Sequence, residues 1–315
     1  MENRGEAGVL SAVKENIEKV IVGKSDVIDL MLICFICGGH VLIEDVPGLG
    51  KTTLAAALAQ SVNCSFRRIQ FTPDILPSDI TGFTMFHMKT GDREFHEGAI
   101  MSQIVLADEI NRTSPKTQSA LLQAMQEGRV TVDGDTYILP KPFMVCATQN
   151  PVELTGTYPL PEAQLDRFFM RVAMGYPDKN DEIAILERGG ARAADTLTPV
   201  ADADDILALQ EKLESVQCAR SIMAYIVDVC RRTRESKEVA LGVSPRGAIA
   251  LMRASMGYAL LSGRDYVLPD DVQKMAAPVL CHRIIMRAQA YIQNQTPETV
   301  LEDVLRFAPV PAMQD

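Results

Sequence analysis

Three short apolar runs punctuate the first half of the chain: residues 41–43 (Val-Leu-Ile), 104–107 (Ile-Val-Leu-Ala) and 143–147 (Phe-Met-Val-Cys-Ala), each followed at once by polar residues. Unbroken apolar runs of this length predict strands buried on both faces of a parallel sheet. Residues 51–62, 115–127 and 161–168 have helix-forming composition, so residues 1–178 read as one unit of alternating strand and helix. Beyond it the texture changes. Residues 181–188, 204–216, 222–236, 245–262 and 270–290 look helical, and Ile222, Tyr225, Ile226 and Val229 mark one apolar helix face. The stretch Gly175-Tyr176-Pro177-Asp178 interrupts regular structure, and Asp178 or Asn180 can cap the next helix. The predicted architecture is therefore an α/β core, residues 1–178, followed by a smaller all-α domain, residues 179–315. Within the core, residues 129–139 alternate polar and β-branched positions around Asp133-Gly134, a two-residue hairpin signal. A hairpin just before the strand at 143 reads as an insertion into a parallel architecture.

Composition narrows the class. A chain of 315 residues with 47% apolar and 23% charged side chains is an ordinary globular protein. At this length it buries roughly three-quarters of its unfolded surface and needs no disulfide or structural metal. Seven cysteines, an odd number scattered through apolar runs, fit reduced thiols and a cytoplasmic location. Cys34 and Cys37 have the spacing of a zinc or redox pair, but they sit in the apolar run 27–37, and His40, His87, His96 and His282 supply no matching ligand spacing. They are expected in the core. The apolar stretch 30–37 falls well short of the roughly 20 residues of a membrane span, and residues 1–8 are too polar for a signal peptide. The formal charge of −10 divides into −7 over residues 1–178 and −3 over 179–315. With neither part basic, nucleic acid is an unfavoured partner.

Chemistry enters at Glu44-Asp45-Val46-Pro47-Gly48-Leu49-Gly50-Lys51-Thr52, which follows a buried strand and opens a helix, the context of a phosphate-binding P-loop. Gly48 and Gly50 let backbone N–H groups converge on a phosphate, and the helix start adds its positive dipole end. Lys51 offers a charge to the terminal phosphates of ATP; Thr52, with Thr53 beside it, offers a hydroxyl to a bridging Mg²⁺. The general pattern begins with glycine, and here that position is Asp45. The run 104–107 then delivers Asp108 and Glu109 at a strand's carboxyl end, a Walker B pattern. Asp108 is placed to hold Mg²⁺ through its water shell and Glu109 to polarise an attacking water. Asn150, at the end of the third apolar run, is a candidate to orient that water or touch the γ-phosphate. Arg167 and Arg246 are ambiguous by themselves, since an arginine at a helix end is commonly a solvated charge. Ser244 and Pro245 nonetheless form a helix start, from which Arg246 can reach phosphates bound by the core.

These motifs, together with Phe71-Thr72-Pro73-Asp74, Pro77-Ser78-Asp79-Ile80-Thr81-Gly82, Ala107-Asp108-Glu109-Ile110-Asn111-Arg112, Ala147-Thr148-Gln149-Asn150-Pro151 and Leu160-Pro161-Glu162-Ala163-Gln164-Leu165-Asp166-Arg167-Phe168, resemble the MoxR family of AAA+ ATPases. An acidic residue at the position of Asp45 is common in that family. The resemblance implies a P-loop core with a helical lid and hexameric rings. It also implies two insertions, at about 76–98 and 129–139, and an adenine-side segment Ile21-Val22-Gly23. It implies that Asn150 is sensor 1, Arg246 sensor 2 and Arg167 the arginine finger that reaches a neighbouring subunit, with Arg171 and Arg112 as alternative fingers. It further implies a chaperone-like role in the maturation or cofactor insertion of client proteins, with partners that carry von Willebrand factor A-type domains.

Two other functions compete. A DNA motor would share the two insertions, but the hairpin tip Asp133-Gly134-Asp135 is acidic, and the 76–98 segment mixes Lys89 and Arg93 with Asp92, Glu94 and Glu97. A nucleotide-gated scaffold would need ATP bound but not cleaved, and has no use for Glu109.

Overall fold

The computed structural model describes residues 6–46, 48–89, 91–150, 156–187 and 194–311. Two helices, α1 (Glu6–Glu18) and α2 (Ser25–Ile36), precede the first strand. Residues 31–36 of α2 are all buried, so the apolar run in this region is a helix enclosed on every side. There follow β1 (Val41–Glu44), α3 (Lys51–Ser61), β2 (Phe66–Gln70), α4 (Pro77–Thr81), β3 (Gly82–Phe86), β4 (Arg93–Glu97), β5 (Ile104–Asp108), α5 (Pro115–Glu127), β6 (Arg129–Val132), β7 (Asp135–Ile138), β8 (Met144–Gln149), α6 (Glu162–Leu165) and β9 (Met170–Val172). The remainder is mostly helical: α7 (Lys179–Glu187), α8 (Ala203–Leu213), α9 (Arg220–Glu235), β10 (Val239–Leu241), α10 (Pro245–Leu261), α11 (Pro269–Leu280), β11 (Ile285–Met286), α12 (Ala288–Ile292) and α13 (Pro297–Phe307).

The central sheet is parallel, in the order β2-β5-β8-β1-β9. Alternation along its strands sorts two cores. Val41, Ile43, Ile104, Leu106, Met144 and Cys146 face one side, among α1, α2, α3 and the lid helices; Leu42, Val105, Ala107, Val145 and Ala147 face the other, under α5. Helix α10 comes close to α2: a Cβ added to Gly257 would lie 2.9 Å from Ile33 Cγ2 and 3.0 Å from Cys37 Sγ. The first core is thus shared between the sheet and the lid. Cys34 and Cys37 lie within it, and burial raises both thiols, Cys37 to about 12.

Several elements differ from the sequence pattern. Strand β2 exposes Arg67 and Arg68 because it is the sheet's edge, so it shows no apolar run, and β9 has only three residues. The helix expected over 161–168 covers only Glu162–Leu165, because the backbone of residues 166–169 turns towards the lid. The helix expected over 270–290 stops at Leu280; a single 3₁₀ turn follows, and β11 pairs antiparallel with β10. Both expected insertion segments contain antiparallel hairpins, β3 with β4 and β6 with β7. Phe95 and Tyr137 stack with centroids 3.7 Å apart, joining the two. Among the described residues no helix is long and apolar enough to cross a membrane.

Candidate functional site

Strands β1, β5 and β8 are neighbours and all parallel, so Glu44, Asp108 and Gln149 finish at one edge of the sheet. The loop after β1 turns through Gly48 and Gly50 at φ 89° and 86°, a left-handed region where side chains are strained. Among the described residues, and apart from each glycine's chain neighbours, no atom lies within 4 Å of where a Cβ would stand at either position, which leaves an open cradle above the loop. Pro47 lies outside the described residues. Helix α3 starts at Lys51 without a side-chain cap, so its first N–H groups face the cradle with their dipole. Thr52 and Thr53 are half-buried in this first turn, Leu49 packs partly on the core, and Val46 is half-buried.

Asp45 ties the loop down. Its Oδ1 accepts the Val46 N–H at 2.8 Å and its Oδ2 accepts the Gly175 N–H at 2.6 Å, so the residue that replaces the usual glycine fastens the loop to the segment after β9. Lys51 Nζ donates to the Asp45 carbonyl at 2.8 Å. Burial lowers the Lys51 pKa, while Asp108, Asp45 and Glu109 oppose that shift, so one amine stands within the field of three carboxylates. Ile21 is buried, and Gly23, at φ 68°, packs so tightly on Asp181 that a Cβ would overlap that carboxylate.

The carboxylates are held by a network. Thr148 Oγ1 donates to Asp108 Oδ1 at 2.6 Å and accepts the Glu109 N–H at 2.9 Å. Arg68 pairs with Asp108 Oδ2 at 2.6 Å, and Gln70 Nε2 donates to Glu109 Oε2 at 2.8 Å. Arg112 also pairs with Glu109 Oε2, at 3.1 Å. Glu109 adopts φ 58°, an unusual left-handed conformation for a non-glycine residue and one enriched at functional sites. Among the described residues, the Gln149 side-chain nitrogen beside Asn150 is buried without a hydrogen-bond partner. The glycine cradle, the uncapped helix start and the hard oxygen donors of Thr52 and Asp108 fit a nucleoside triphosphate with Mg²⁺.

The arginines occupy the other end. Arg167 and Arg246 line a cavity of about 290 Å³ together with Gly38, Gly39 and His40, the residues that lead into β1. The P-loop lies beyond the far end of that four-residue strand, roughly 13 Å away at about 3.3 Å per residue. Packing of α10 on α2 thus puts the start of α10, and Arg246 with it, beside Arg167 and not beside the loop after β1. Arg171 bridges Glu44 at 3.2 Å and Glu298 at 2.7 Å within the chain, and Arg112 is paired with Glu109.

Residues 40–170 match the sequence model of the ATPase family associated with various cellular activities (AAA), and residues 231–304 match the AAA lid domain. Over 307 residues the chain is 50% identical to YeaC of Bacillus subtilis, an uncharacterised protein, covering 97% of this chain and 96% of that one. It is 38% identical over 304 residues to Chaperone MoxR1 of Mycobacterium tuberculosis, covering 94% of this chain and 80% of that relative. The chain belongs to the MoxR family of AAA+ ATPases. A crystal structure of an inferred ATPase from Cytophaga hutchinsonii superposes on this MoxR-family chain with a TM-score of 0.90 at 38% identity, over 98% of this chain and 96% of that one.

The structure thus gathers Asp45, Gly48, Gly50, Lys51, Thr52, Asp108, Glu109 and Asn150 at one edge of the MoxR-family core, and Arg167 with Arg246 at the opposite edge. Sequence reasoning missed Arg68, Gln70 and Thr148. Arg68 and Gln70 stand two apart on one face of β2, a signal readable only once that stretch is known to be a strand.

Proposed function

We propose that this chain hydrolyses ATP in a ring of identical subunits, hexameric as the family resemblance implies, and couples the cycle to remodelling of client proteins. The separation of the two sites carries the reading: a phosphate cradle with carboxylates at one edge of the sheet, and a pair of arginines at the other. Head-to-tail contact between copies would bring one subunit's Arg167 and Arg246 to its neighbour's P-loop, the heterologous geometry that closes rings.

In this scheme Gly48, Gly50 and the start of α3 bind the phosphates, and Lys51 neutralises their charge. Thr52 and Asp108 would hold Mg²⁺, which when bound would supply charge neutralisation for the terminal phosphates. Glu109 orients and polarises the water, Asn150 senses the γ-phosphate side, and the neighbour's Arg167 and Arg246 meet the charge that develops on the leaving group. Ile21, Val22 and Gly23 sit on the adenine side. Asp45 ties the loop to residues 175–178, the segment between core 1–178 and lid 179–315, so that nucleotide state in the loop can be passed to the lid.

Client remodelling is supported by the apolar side chains that the hairpins leave exposed: Phe83, Phe86, Met88 and Ile138, Met88 being 93% accessible. The name of MoxR1 as a chaperone points the same way. A partner with a von Willebrand factor A-type domain follows from the family resemblance.

The test is ATP turnover per subunit across protein concentration, for wild type, Glu109→Gln and Arg167→Ala, with and without single-stranded DNA. Turnover that rises with concentration, falls in both variants and ignores DNA is expected. Stimulation by DNA would replace this reading with a motor, and ATP binding without turnover would replace it with a scaffold.

A further inference from the structure

We propose that Arg283 is a positioning residue for the arginine pair, a buried clamp from the lid that fixes the backbone carrying Arg167 and seats the helix start carrying Arg246. The inference rests on the reading of Arg167 as an arginine that acts on a neighbouring subunit.

Arg283 follows α11 in the 3₁₀ turn of residues 281–283, and its side chain is 4% exposed. A guanidinium has five N–H donors. Here Nε donates to Asp166 Oδ1 at 2.8 Å, one terminal nitrogen to the carbonyls of Asp166 at 3.3 Å and Phe168 at 2.6 Å, and the other to the carbonyls of Phe169 at 3.3 Å and Val279. Four of these five acceptors belong to residues 166–169, the turn between α6 and β9, and they surround Arg167 on both sides. The fifth belongs to α11. The same side chain supports α10. A Cβ added to Gly247 would lie 3.1 Å from Arg283 Cδ, so the first turn of that helix, next to Arg246, rests on the arginine stem.

Stability alone does not account for this residue. Burial pushes the Arg283 pKa down, Asp166 opposes the shift, and Arg246 adds to it. An apolar side chain of similar volume would avoid that desolvation, and such replacements are often neutral or stabilising. What an apolar residue cannot do is satisfy the four acceptors that hold residues 166–169 in place. Arg283 also engages this core segment from the lid, so a shift of the lid against the sheet moves Arg167 and Arg246 together.

The experiment is complementation in mixed rings. Glu109→Gln subunits are silent at their own P-loop but keep an intact arginine edge; Arg283→Met subunits keep P-loop and Glu109 but present a displaced one. Alone, Arg283→Met is expected to lose roughly 10- to 100-fold in kcat, the scale of a misplacement of about 1 Å, while its binding of a fluorescent ATP analogue stays within about twofold. Mixed in equal amounts, the two should recover about a quarter of wild-type turnover, the share of sites that pair a sound P-loop with a sound arginine edge in a randomly assembled ring. Arg167→Ala mixed with Glu109→Gln serves as the reference. If the reference mixture recovers and the Arg283→Met mixture does not, Arg283 acts elsewhere and the proposal is overturned. If Arg167→Ala alone turns over like wild type, the trans reading itself fails. Should Arg283→Met not fold, Asp166→Asn replaces it: that side chain is 27% exposed, loses its charge and keeps its shape, and the same recovery is expected.

Discussion

Gln70 donates a 2.8 Å hydrogen bond to Oε2 of Glu109, the same oxygen that Arg112 pairs with at 3.1 Å. The carboxylate proposed to polarise water therefore has one oxygen occupied twice, which leaves it fewer free lone pairs with which to engage a water. Releasing Gln70 should free it. Gln70→Ala is expected to raise basal ATP turnover roughly fivefold, the equivalent of about 1 kcal/mol for one hydrogen bond. Glu109→Gln should lower turnover by about 10² to 10⁴ with nucleotide binding kept. A fall in turnover for Gln70→Ala would mean that the contact positions Glu109 instead of restraining it.

Arg68 presents the same competition at the carboxylate proposed to hold Mg²⁺, where it pairs with Asp108 at 2.6 Å. The Arg68 side chain is 48% exposed, so solvent screens the pair to about 0.2–1 kcal/mol. Arg68→Ala should reduce the Mg²⁺ concentration for half-maximal turnover by at most about fivefold. A Mg²⁺ titration in the wild type and the variant at constant ionic strength reads the effect directly, and an unchanged midpoint would show that the arginine does not contend with the ion.

The limits of the sequence pattern lie in where information is stored along the chain. Strands β1, β5 and β8 were legible because burial on both faces leaves an uninterrupted apolar run, and the glycine turn before α3 and the position of Asp108-Glu109 at the end of β5 because each is consecutive in sequence. Strand β2 was not: at the sheet edge its solvent side is free for Arg67 and Arg68, whose charge hides the strand. Helix α2 was visible as an apolar run but carried no helical period, since a helix buried on all sides has no polar face. The placement of Arg246 depends on how α10 seats against α2, and the partnership of Arg283 with Asp166 spans 117 residues. No local pattern encodes either.

His40 predicts an acid limit. Its Nδ1 accepts the Val145 N–H at 3.0 Å and its Nε2 stands 3.0 Å from the Met125 carbonyl, an arrangement that a neutral imidazole with the proton on Nε2 satisfies. Burial pushes its pKa down to about 4, and His282, also buried, is lowered well below its usual value. A folded-state pKa below the unfolded value near 6.5 means that the unfolded chain takes up protons first. Stability is then complete above about pH 6.5 and falls as the pH drops towards 4, by on the order of 3 kcal/mol from His40. Thermal unfolding followed from pH 7.5 to pH 4 should show this decline. It should be shallower in His40→Gln, which can still donate to Met125 and accept from Val145. Equal slopes would remove His40 from the account.

Asp45 predicts a cost for restoring the common motif. Placing glycine there recreates the general P-loop pattern, which by sequence alone looks neutral. In this fold it removes the carboxylate that accepts the N–H of Gly175 at 2.6 Å and of Val46 at 2.8 Å. Hydrogen bonds to a charged acceptor contribute about 1.5–3 kcal/mol each when buried and less here, where Gly175 is exposed. Asp45→Gly is therefore expected to lose about 1–2 kcal/mol in denaturant unfolding. Lys51 keeps its carbonyl partner, since the Asp45 main-chain oxygen survives the substitution, so ATP binding should persist. The property that should weaken is the transmission between the loop and the segment leading into α7. Protection of the Gly175 amide from hydrogen exchange, compared with and without ATP, separates the two effects. In the wild type, ATP should alter that protection. In Asp45→Gly the amide should exchange freely in both conditions, and continued protection there would show that another acceptor, not Asp45, holds this segment to the loop.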